Sequence, residues 1–241
     1  MRRLLPLPAS DVDPAEVYAL VRSPVPDRPW VVANMVTSTD GAATVDGRSG
    51  GLGGAADRQV FRLLRAQADV VVAAAGTVRT ERYRPITAPR PIPVAVVSRS
   101  LELDWSSPLF TEAAARTIVL TCEAADPDRR ADAARRAEVV VAGDDAVDLR
   151  RALGALHDRG CAVALCEGGP SLLAQLVDAS LLDELCLTLS PLLVGGDGPR
   201  LLTAGPLSPA VDLTLTSVLE DDGALLLRYL VDRSGSGPGT S

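Results

Sequence analysis

Three polar loops could carry chemistry because each combines glycine with hydroxyl or carboxyl groups directly after an apolar run. They are 37–41 (Thr-Ser-Thr-Asp-Gly), 76–81 (Gly-Thr-Val-Arg-Thr-Glu) and 167–171 (Glu-Gly-Gly-Pro-Ser). Glycine lets the backbone approach a ligand closely, and the polar side chains supply hydrogen bonds or proton transfer. Ligands of parallel sheets bind outside the carboxyl ends of the strands. Loops of this kind after strands therefore predict one shared binding site.

The loop at 167–171 is the most informative of the three. Pro170 at the first helical position, with Ser171 behind it, leaves free N–H groups at a helix N-terminus, which suits a phosphate. Thr77 lies in a second glycine-containing segment that could cradle a phosphate or an amide. Asp40 is either an acid/base group or a turn residue, and Arg65 on a predicted helix is a candidate phosphate ligand by its spacing. An ordinary turn remains the alternative for each loop.

Composition excludes several classes of function. The chain has 241 residues and a net charge of −7, and all 24 of its basic residues are arginine. Without lysine there is neither a Schiff base nor a Gly-Lys-Ser/Thr phosphate loop, and the single histidine, His157, leaves no multi-histidine metal site. The acidic balance argues against nucleic acid, and no apolar run is long enough for a membrane span. A Gly-x-Gly-x-x-Gly fingerprint is also missing.

The four cysteines lie in or beside apolar runs without a Cys-x-x-Cys pair. We interpret them as buried apolar side chains of a protein in the reducing cytoplasm, with a zinc or redox site as the lesser alternative. We therefore expect no bound metal.

Strand and helix patterns alternate along most of the chain. This alternation predicts an α/β fold with a mostly parallel central sheet, helices on both faces and a C-terminal antiparallel hairpin. We expect a proline-rich arm over 1–29, one domain over 30–233 and a disordered tail over 234–241. The predicted strands cover 31–36, 69–75, 94–98, 117–121, 138–142, 162–166 and 184–190, the helices 14–22, 56–67, 127–136, 147–159 and 171–182, and the hairpin 211–219 with 224–231.

Several short motifs in this order resemble the reductase domain of bacterial riboflavin biosynthesis, which has a dihydrofolate-reductase-like fold. The motifs are Asn-Met-Val-Thr-Ser-Thr-Asp-Gly at 34–41, Leu-Leu-Arg-Ala-Gln-Ala-Asp at 63–69, Gly-Thr-Val at 76–78, Glu-Gly-Gly-Pro-Ser-Leu at 167–172, and Leu-Asp-Glu-Leu at 182–185 with Pro-Leu-Leu-Val-Gly-Gly at 191–196. The resemblance covers about residues 30–231. It implies NADPH-dependent reduction of 5-amino-6-(5-phosphoribosylamino)uracil to the ribitylamino product, in a homodimer.

The resemblance also implies roles for individual residues. The family positions on the reacting side and the sugar-phosphate side of the substrate are matched here by Asn34, Ser49, Arg65 and Glu167. To these we add Asp40 as a catalytic candidate and Arg84 as a second arginine for the phosphorylated substrate. Those on the cofactor side are Val36, Thr37, Gly51, Thr77, Glu81, Ser98 and the loop residues Gly168, Gly169, Pro170, Ser171 and Leu172. Arg99 is a candidate partner for the cofactor 2′-phosphate, or an ordinary surface residue.

The chain departs from the family pattern at identifiable places. Asn34 stands where bifunctional enzymes often carry lysine, Gly51 replaces an aromatic residue, and 81–85 (Glu-Arg-Tyr-Arg-Pro) replaces the usual Asp-Asp-Pro segment. The His-x-Glu and Pro-Cys-x-x-Cys motifs of a deaminase are missing, so we expect reduction only. Two alternatives follow: a reductase of the same fold acting on dihydrofolate, a pterin or another pyrimidine, and a non-catalytic nucleotide-binding protein.

Overall fold

A ten-stranded sheet forms the centre of the molecule, in the strand order β1-β9-β10-β8-β2-β7-β3-β4-β5-β6. The computed structural model describes residues 1–19, 22–203 and 205–232. The strands are β1 (Arg2–Leu5), β2 (Trp30–Ser38), β3 (Val70–Ala74), β4 (Val94–Val97), β5 (Ile118–Thr121), β6 (Glu138–Val141), β7 (Val163–Cys166), β8 (Glu184–Ser190), β9 (Leu213–Asp221) and β10 (Ala224–Val231). Neighbours from β8 to β6 run parallel, whereas β10, β9 and β1 add antiparallel pairs.

Helices cover both faces of this sheet. They are α1 (Pro14–Tyr18), α2 (Ala55–Gln67), α3 (Ala75–Thr80), α4 (Pro108–Thr111), α5 (Pro127–Arg136), α6 (Leu149–His157) and α7 (Pro170–Asp178). Aspartate caps begin two of the longer ones, because Asp126 accepts a hydrogen bond from the first turn of α5 and Asp148 does so for α6. None of the helices within the described ranges is long and apolar enough to cross a bilayer.

The spacing of apolar residues in α2 determines which face of this helix packs against the sheet. Its buried residues Ala56, Val60 and Leu64 recur every fourth position and share a buried cluster with Val32 of β2 and Val71 of β3. Val70, Val71 and Val72 are buried because parallel strands of this kind are covered on both faces. The opposite face of the sheet packs against α6 and α7.

The strand order brings the predicted loops together. Strand β7 lies between β2 and β3, and all three run parallel. Their carboxyl ends, at Ser38, Cys166 and Ala74, therefore meet at one edge of the sheet. The segments that follow these strands are therefore adjacent in space, although roughly ninety residues separate Thr77 from Glu167 along the chain.

The α/β class, the mostly parallel sheet and the closing hairpin are confirmed. The predicted loop at 76–81 is wrong, since α3 covers Ala75–Thr80, beginning at the residue after β3, and Glu81 is its C-cap. The N-terminal arm contributes a strand, β1, whose pairing with β9 was not predicted. This pairing makes β1, rather than the hairpin, the outermost strand on that side. The predicted tail at 234–241 lies outside the described residues, as do the two residues after Ala19 in the predicted first helix.

A buried ion cluster joins the N-terminal segment to the sheet. Glu184, with no exposed surface, accepts hydrogen bonds from Arg228 (2.7 Å) and Arg22 (3.0 and 3.2 Å), and from the Trp30 indole at 3.2 Å. Burial alone would raise the pKa of Glu184, but the bonds and charges of Arg228 and Arg22 hold it below its usual value. A buried carboxylate needs such partners because an unpaired charge costs several kcal/mol.

We expect Arg228→Met to lower the free energy of unfolding by about 3 kcal/mol, because Glu184 then keeps only one of its two cations in a buried site. Urea unfolding measures this change. The matched control is Arg2→Met on β1, which breaks the pair with Glu220 of β9 at a site where the arginine side chain is 66% exposed. That variant should change stability little. Equal losses in both variants would contradict the expectation.

Candidate active site

A cavity of about 600 Å³ opens at the edge where β2, β7 and β3 end. Its walls come from β2, α2, α3, the segment after α3 and the loop after β7. Polar groups are frequent among its lining residues, which include Asn34, Val36, Ser49, Asp57, Arg58, Phe61, Arg65, Thr77, Glu81, Tyr83, Arg84, Glu167, Gly169 and Pro170. A cleft with several convergent polar groups at this end of a parallel sheet is the expected place for a ligand.

Glu167 is the best-connected group in the cavity. Its carboxylate accepts two parallel bonds from Arg65, at 2.7 Å from Nε and 2.8 Å from Nη2, and a third from the Tyr83 hydroxyl at 2.7 Å. The Glu167 side chain is only 2% exposed. Bidentate, charge-assisted bonds of this kind fix both side chains in position. The residue after β7 is thereby tied to α2 and to the segment after α3.

Arg65 is held by aromatic rings as well as by Glu167. Its guanidinium lies 4.2 Å from the centroid of the Phe61 ring and 5.9 Å from that of Tyr83. Burial acts to lower the pKa of Arg65, but the hydrogen bond and charge of Glu167 outweigh it, so the pKa is raised. Burial, with the charge of Glu167, raises the pKa of Tyr83 well above its usual value. The Tyr83 phenol therefore stays protonated and acts as a hydrogen-bond donor.

Ser49 and Glu81, for which the sequence predicts separate roles, are bonded to each other. One carboxylate oxygen of Glu81 accepts from both the backbone N–H and the hydroxyl of Ser49, each at 2.9 Å. This contact connects the short 3₁₀ turn at Ser49–Gly51 to the end of α3. The two residues close one side of the cavity together.

The loop after β7 and helix α3 approach each other closely. A Cβ atom on Gly169 would lie 2.8 Å from the Thr77 hydroxyl, so this position has room for glycine only unless Thr77 moves. Gly168 has φ +91°, a conformation that favours glycine. Helix α7 then begins at Pro170 with no side-chain cap on its first turn. The result is a glycine-lined cradle at a helix N-terminus, which suits an anionic group.

Asp40 lies outside the cavity lining and serves as a turn residue. Its carboxylate accepts bonds from the Ser38 hydroxyl (2.5 Å) and from the N–H groups of Val194 (3.1 Å) and Gly195 (2.7 Å). These bonds, that of Ser38 foremost, lower the pKa of Asp40 to about 2. An ionised carboxylate engaged in this way holds the loop after β8 against the loop after β2.

Other predicted site residues are also outside the cavity lining. Leu172 is in the core, Thr37 is buried, and the buried Ser98 hydroxyl accepts the N–H of Leu101 at 3.0 Å. Arg99 and Ser171 are exposed at the surface. Gly51 and Gly168 border the lining segments without belonging to them.

Several lining residues were not predicted as site residues, among them Asp57, Phe61 and Tyr83. Asp57 and Phe61 precede Arg65 at intervals of four, so all three fall on one stripe of α2. That spacing was available in the sequence once the helix was predicted. Tyr83 follows α3 in irregular structure, so no periodicity pointed to it.

Comparisons with known proteins agree on one family. The model of the RibD C-terminal domain matches residues 29–227. The 2,5-diamino-6-ribosylamino-4(3H)-pyrimidinone 5′-phosphate reductase of Methanothermobacter thermautotrophicus is 32% identical over 183 residues, which are 74% of this chain and 85% of that protein. The enzyme of the same name from Aquifex aeolicus is 31% identical over 193 residues, 74% of this chain and 84% of that protein.

Solved structures agree in fold. A pyrimidine reductase-like protein from Corynebacterium diphtheriae superposes with a TM-score of 0.75 and 29% identity, covering 85% of this chain and 92% of that one. Dihydrofolate reductase from Enterococcus faecalis superposes with a TM-score of 0.51 and 12% identity over 84% of this chain and 96% of that one, which shows a shared fold alone. The chain belongs to the RibD C-terminal domain family.

Proposed function

We propose that the chain is a pyrimidine reductase of riboflavin biosynthesis that uses NADPH to convert a phosphoribosylamino side chain into a ribitylamino one. Relatives at 28–32% identity carry the name of such a reductase. Both the uracil expected from the sequence and the 2,5-diamino-pyrimidinone of those names have this side chain. The observation that carries the proposal is the Glu167–Arg65–Tyr83 cluster within the cavity.

The cluster suits a sugar phosphate. Carboxylates accept hydrogen bonds from sugar hydroxyls, and arginine binds phosphate in a planar, two-point manner. The pair with Glu167 uses two of the five N–H groups of Arg65, so other N–H groups remain for a phosphate while the pair stays intact. Glu167 would orient the sugar, and Arg65 would hold its phosphate.

The reaction reduces the first carbon of the sugar. The C1–O bond of the ribose ring breaks, the ring oxygen takes up a proton, and C1 is left doubly bonded to nitrogen. A bound reduced nicotinamide supplies the hydride that C1 accepts. Glu167 and Tyr83 contribute by holding the opened chain in one orientation, which lowers the entropic part of the barrier.

The cofactor side of the cavity fits a dinucleotide phosphate. The uncapped first turn of α7 and the close approach of Gly169 to Thr77 leave backbone rather than bulky side chains facing the ligand. Val36 and Glu81 line the same cavity and match cofactor positions of the family. Selectivity for NADPH over NADH is part of the proposal, with the exposed Arg99 as the candidate for the 2′-phosphate.

We expect the purified protein to oxidise NADPH when either phosphoribosylamino-pyrimidine is added, and to do so much more slowly with NADH. Loss of nicotinamide absorbance follows turnover, and nicotinamide fluorescence measures binding of each cofactor. Dihydrofolate is the comparison substrate. Turnover of dihydrofolate alone would favour a reductase of the same fold that acts on dihydrofolate. Cofactor binding without turnover of any of these substrates would favour a non-catalytic nucleotide-binding protein.

We expect Glu167→Gln to reduce turnover by about 100-fold or more while leaving NADPH affinity nearly unchanged, because the amide keeps the size but loses the charge that orients substrate and Arg65. Steady-state rates and fluorescence titration separate the two effects. The matched control is Glu138→Gln. Glu138 also pairs with an arginine, Arg159, but it lies on β6 and does not line the cavity. Undiminished turnover in Glu167→Gln would remove this residue from the mechanism.

We also propose a homodimer, supported by an apolar groove of about 940 Å³ between α7 and the hairpin. Its lining includes Leu173, Leu202, Val211, Leu213 and Val231, and Val211 and Leu213 are among the exposed large apolar residues. Exposed apolar patches of this kind mark association surfaces.

We expect sedimentation equilibrium to give twice the chain mass, and Leu213→Asp to give the single-chain mass, because a charge would be buried at the interface. Val141→Asp on β6 is the control, as Val141 is equally exposed at 40% but lies at the opposite edge of the sheet. A monomeric parent protein would contradict the dimer.

A cytoplasmic location completes the proposal. All four cysteines are unpaired and buried, which fits a reducing compartment where NADPH is available. Recovery of the protein from a secreted or membrane fraction would contradict this location.

A further inference from the structure

The two oxygens of the Glu167 carboxylate are not equally occupied. Among the described residues, Oε1 accepts one hydrogen bond, from Arg65 Nε at 2.7 Å, whereas Oε2 accepts two, from Arg65 Nη2 at 2.8 Å and from the Tyr83 hydroxyl at 2.7 Å. Each oxygen of an ionised carboxylate has two lone pairs, so Oε2 is saturated and Oε1 can accept one more bond. A ligand in the cavity therefore finds a single acceptor position on Glu167, at Oε1.

Tyr83 offers a second acceptor beside the first. Its single hydroxyl hydrogen is directed at Glu167, so the phenol oxygen has only lone pairs left for a ligand. This hydrogen stays in place because burial and the charge of Glu167 raise the pKa of Tyr83 well above its usual value. Both side chains line the cavity. Together they present to a ligand two acceptors that are linked to each other by one hydrogen bond.

The Tyr83 side chain is held in position by its backbone and by its ring. Its backbone N–H donates to the carbonyl oxygen of Val78 at 3.1 Å, which fastens it to α3. The ring packs against the buried cluster that contains Val78, and the guanidinium of Arg65 lies 5.9 Å from the ring centroid. A group fixed in this way needs little further ordering when a ligand binds, so more of the interaction energy is retained as affinity.

Resting on the proposed function, we propose that Tyr83 is a specificity-determining residue. Its oxygen and Oε1 of Glu167 each accept a hydrogen bond from one of the 2′- and 3′-hydroxyls of the ribosyl group. Two adjacent acceptors match a ligand with two adjacent donors. In the closed ring of a 5-phosphoribosylamino group, C1 carries the nitrogen, C4 bonds the ring oxygen and C5 carries the phosphate. C2 and C3 therefore carry the only neighbouring free hydroxyls, and they lie between the reacting carbon and the phosphate that Arg65 would hold.

A sugar that lacks either hydroxyl leaves one of the two acceptors without a donor. The Glu167 side chain is almost fully buried and Tyr83 is partly buried, so water replaces the missing hydroxyl poorly. Sites built to bond a hydroxyl discriminate strongly against an analogue without it, because the buried partner is left unsatisfied. The pair therefore selects a ribosyl substrate over both of its deoxy analogues.

This contact is tested by comparing kcat/KM for a phosphoribosylamino-pyrimidine with kcat/KM for its 2′-deoxy and 3′-deoxy analogues, with NADPH as reductant. We expect the parent protein to prefer the full substrate over each analogue by at least about 100-fold. Tyr83→Phe removes the phenol oxygen and keeps the ring. The preference over one analogue should then fall by about tenfold or more, while the preference over the other, which depends on Glu167, changes by about threefold or less.

Tyr229→Phe on β10 is the matched control, because it removes the same hydroxyl from a tyrosine that does not line the cavity. It should keep both preferences. Loss of both preferences in Tyr83→Phe would overturn the direct contact, since Tyr83 would then act only by orienting Glu167. Retention of both preferences in Tyr83→Phe, or a parent protein that uses the deoxy analogues as well as the full substrate, would also overturn it.

A binding measurement on the parent protein covers the case in which Tyr83→Phe does not fold. Calorimetric titration with ribose 5-phosphate and with 2-deoxyribose 5-phosphate requires neither turnover nor a variant. We expect the deoxy sugar to bind about tenfold more weakly or worse, because one buried acceptor loses its donor. Equal affinities would overturn the diol contact. Failure to reduce the full substrate, with this difference in affinity retained, would instead overturn the proposed function.

Discussion

The buried carboxylate of Glu167 is the constraint on which the site depends. A charge that is almost fully removed from water is tolerated only with close, well-directed partners. Arg65 and Tyr83 provide them from two different segments, so satisfying one carboxylate fixes the end of β7, the last turn of α2 and the residues after α3 relative to one another. The cavity is the space that these three segments enclose.

The same solution recurs away from the cavity. Glu184 is held between Arg22 and Arg228, and Asp183 accepts two bonds from Arg28 at 2.7 and 2.9 Å. A chain whose basic residues are all arginine favours such pairs, because the guanidinium is planar, stays charged and bonds two oxygens at once. In both clusters near β8 an arginine from the N-terminal segment reaches the sheet, so this segment contributes to the core although its composition resembles that of a loose arm.

Much of the architecture follows from local pattern. Short-range causes account for the buried valine runs, for the apolar residues at every fourth position of α2 and for the turn before β10. The corresponding elements were predicted to within a few residues. Glu167 and Arg65 were also predicted as site residues, but their pairing was not. That contact depends on β7 lying between β2 and β3, a consequence of long-range strand order that no local pattern encodes. Asp40 shows the reverse case, since an acidic residue after a strand has the same appearance in sequence whether it faces a ligand or bonds a neighbouring loop.

The direct passage from β3 into α3 has an energetic consequence for binding. The last strand residue, Ala74, is also the cap of the helix, so no flexible residue separates the two elements. Ordering a loop around a ligand costs about 1–2 kcal/mol of backbone conformational entropy per residue. Thr77 lies within hydrogen-bonded structure on this wall and has little of that freedom left to lose. A ligand that contacts this side of the cavity therefore retains most of its interaction energy as affinity.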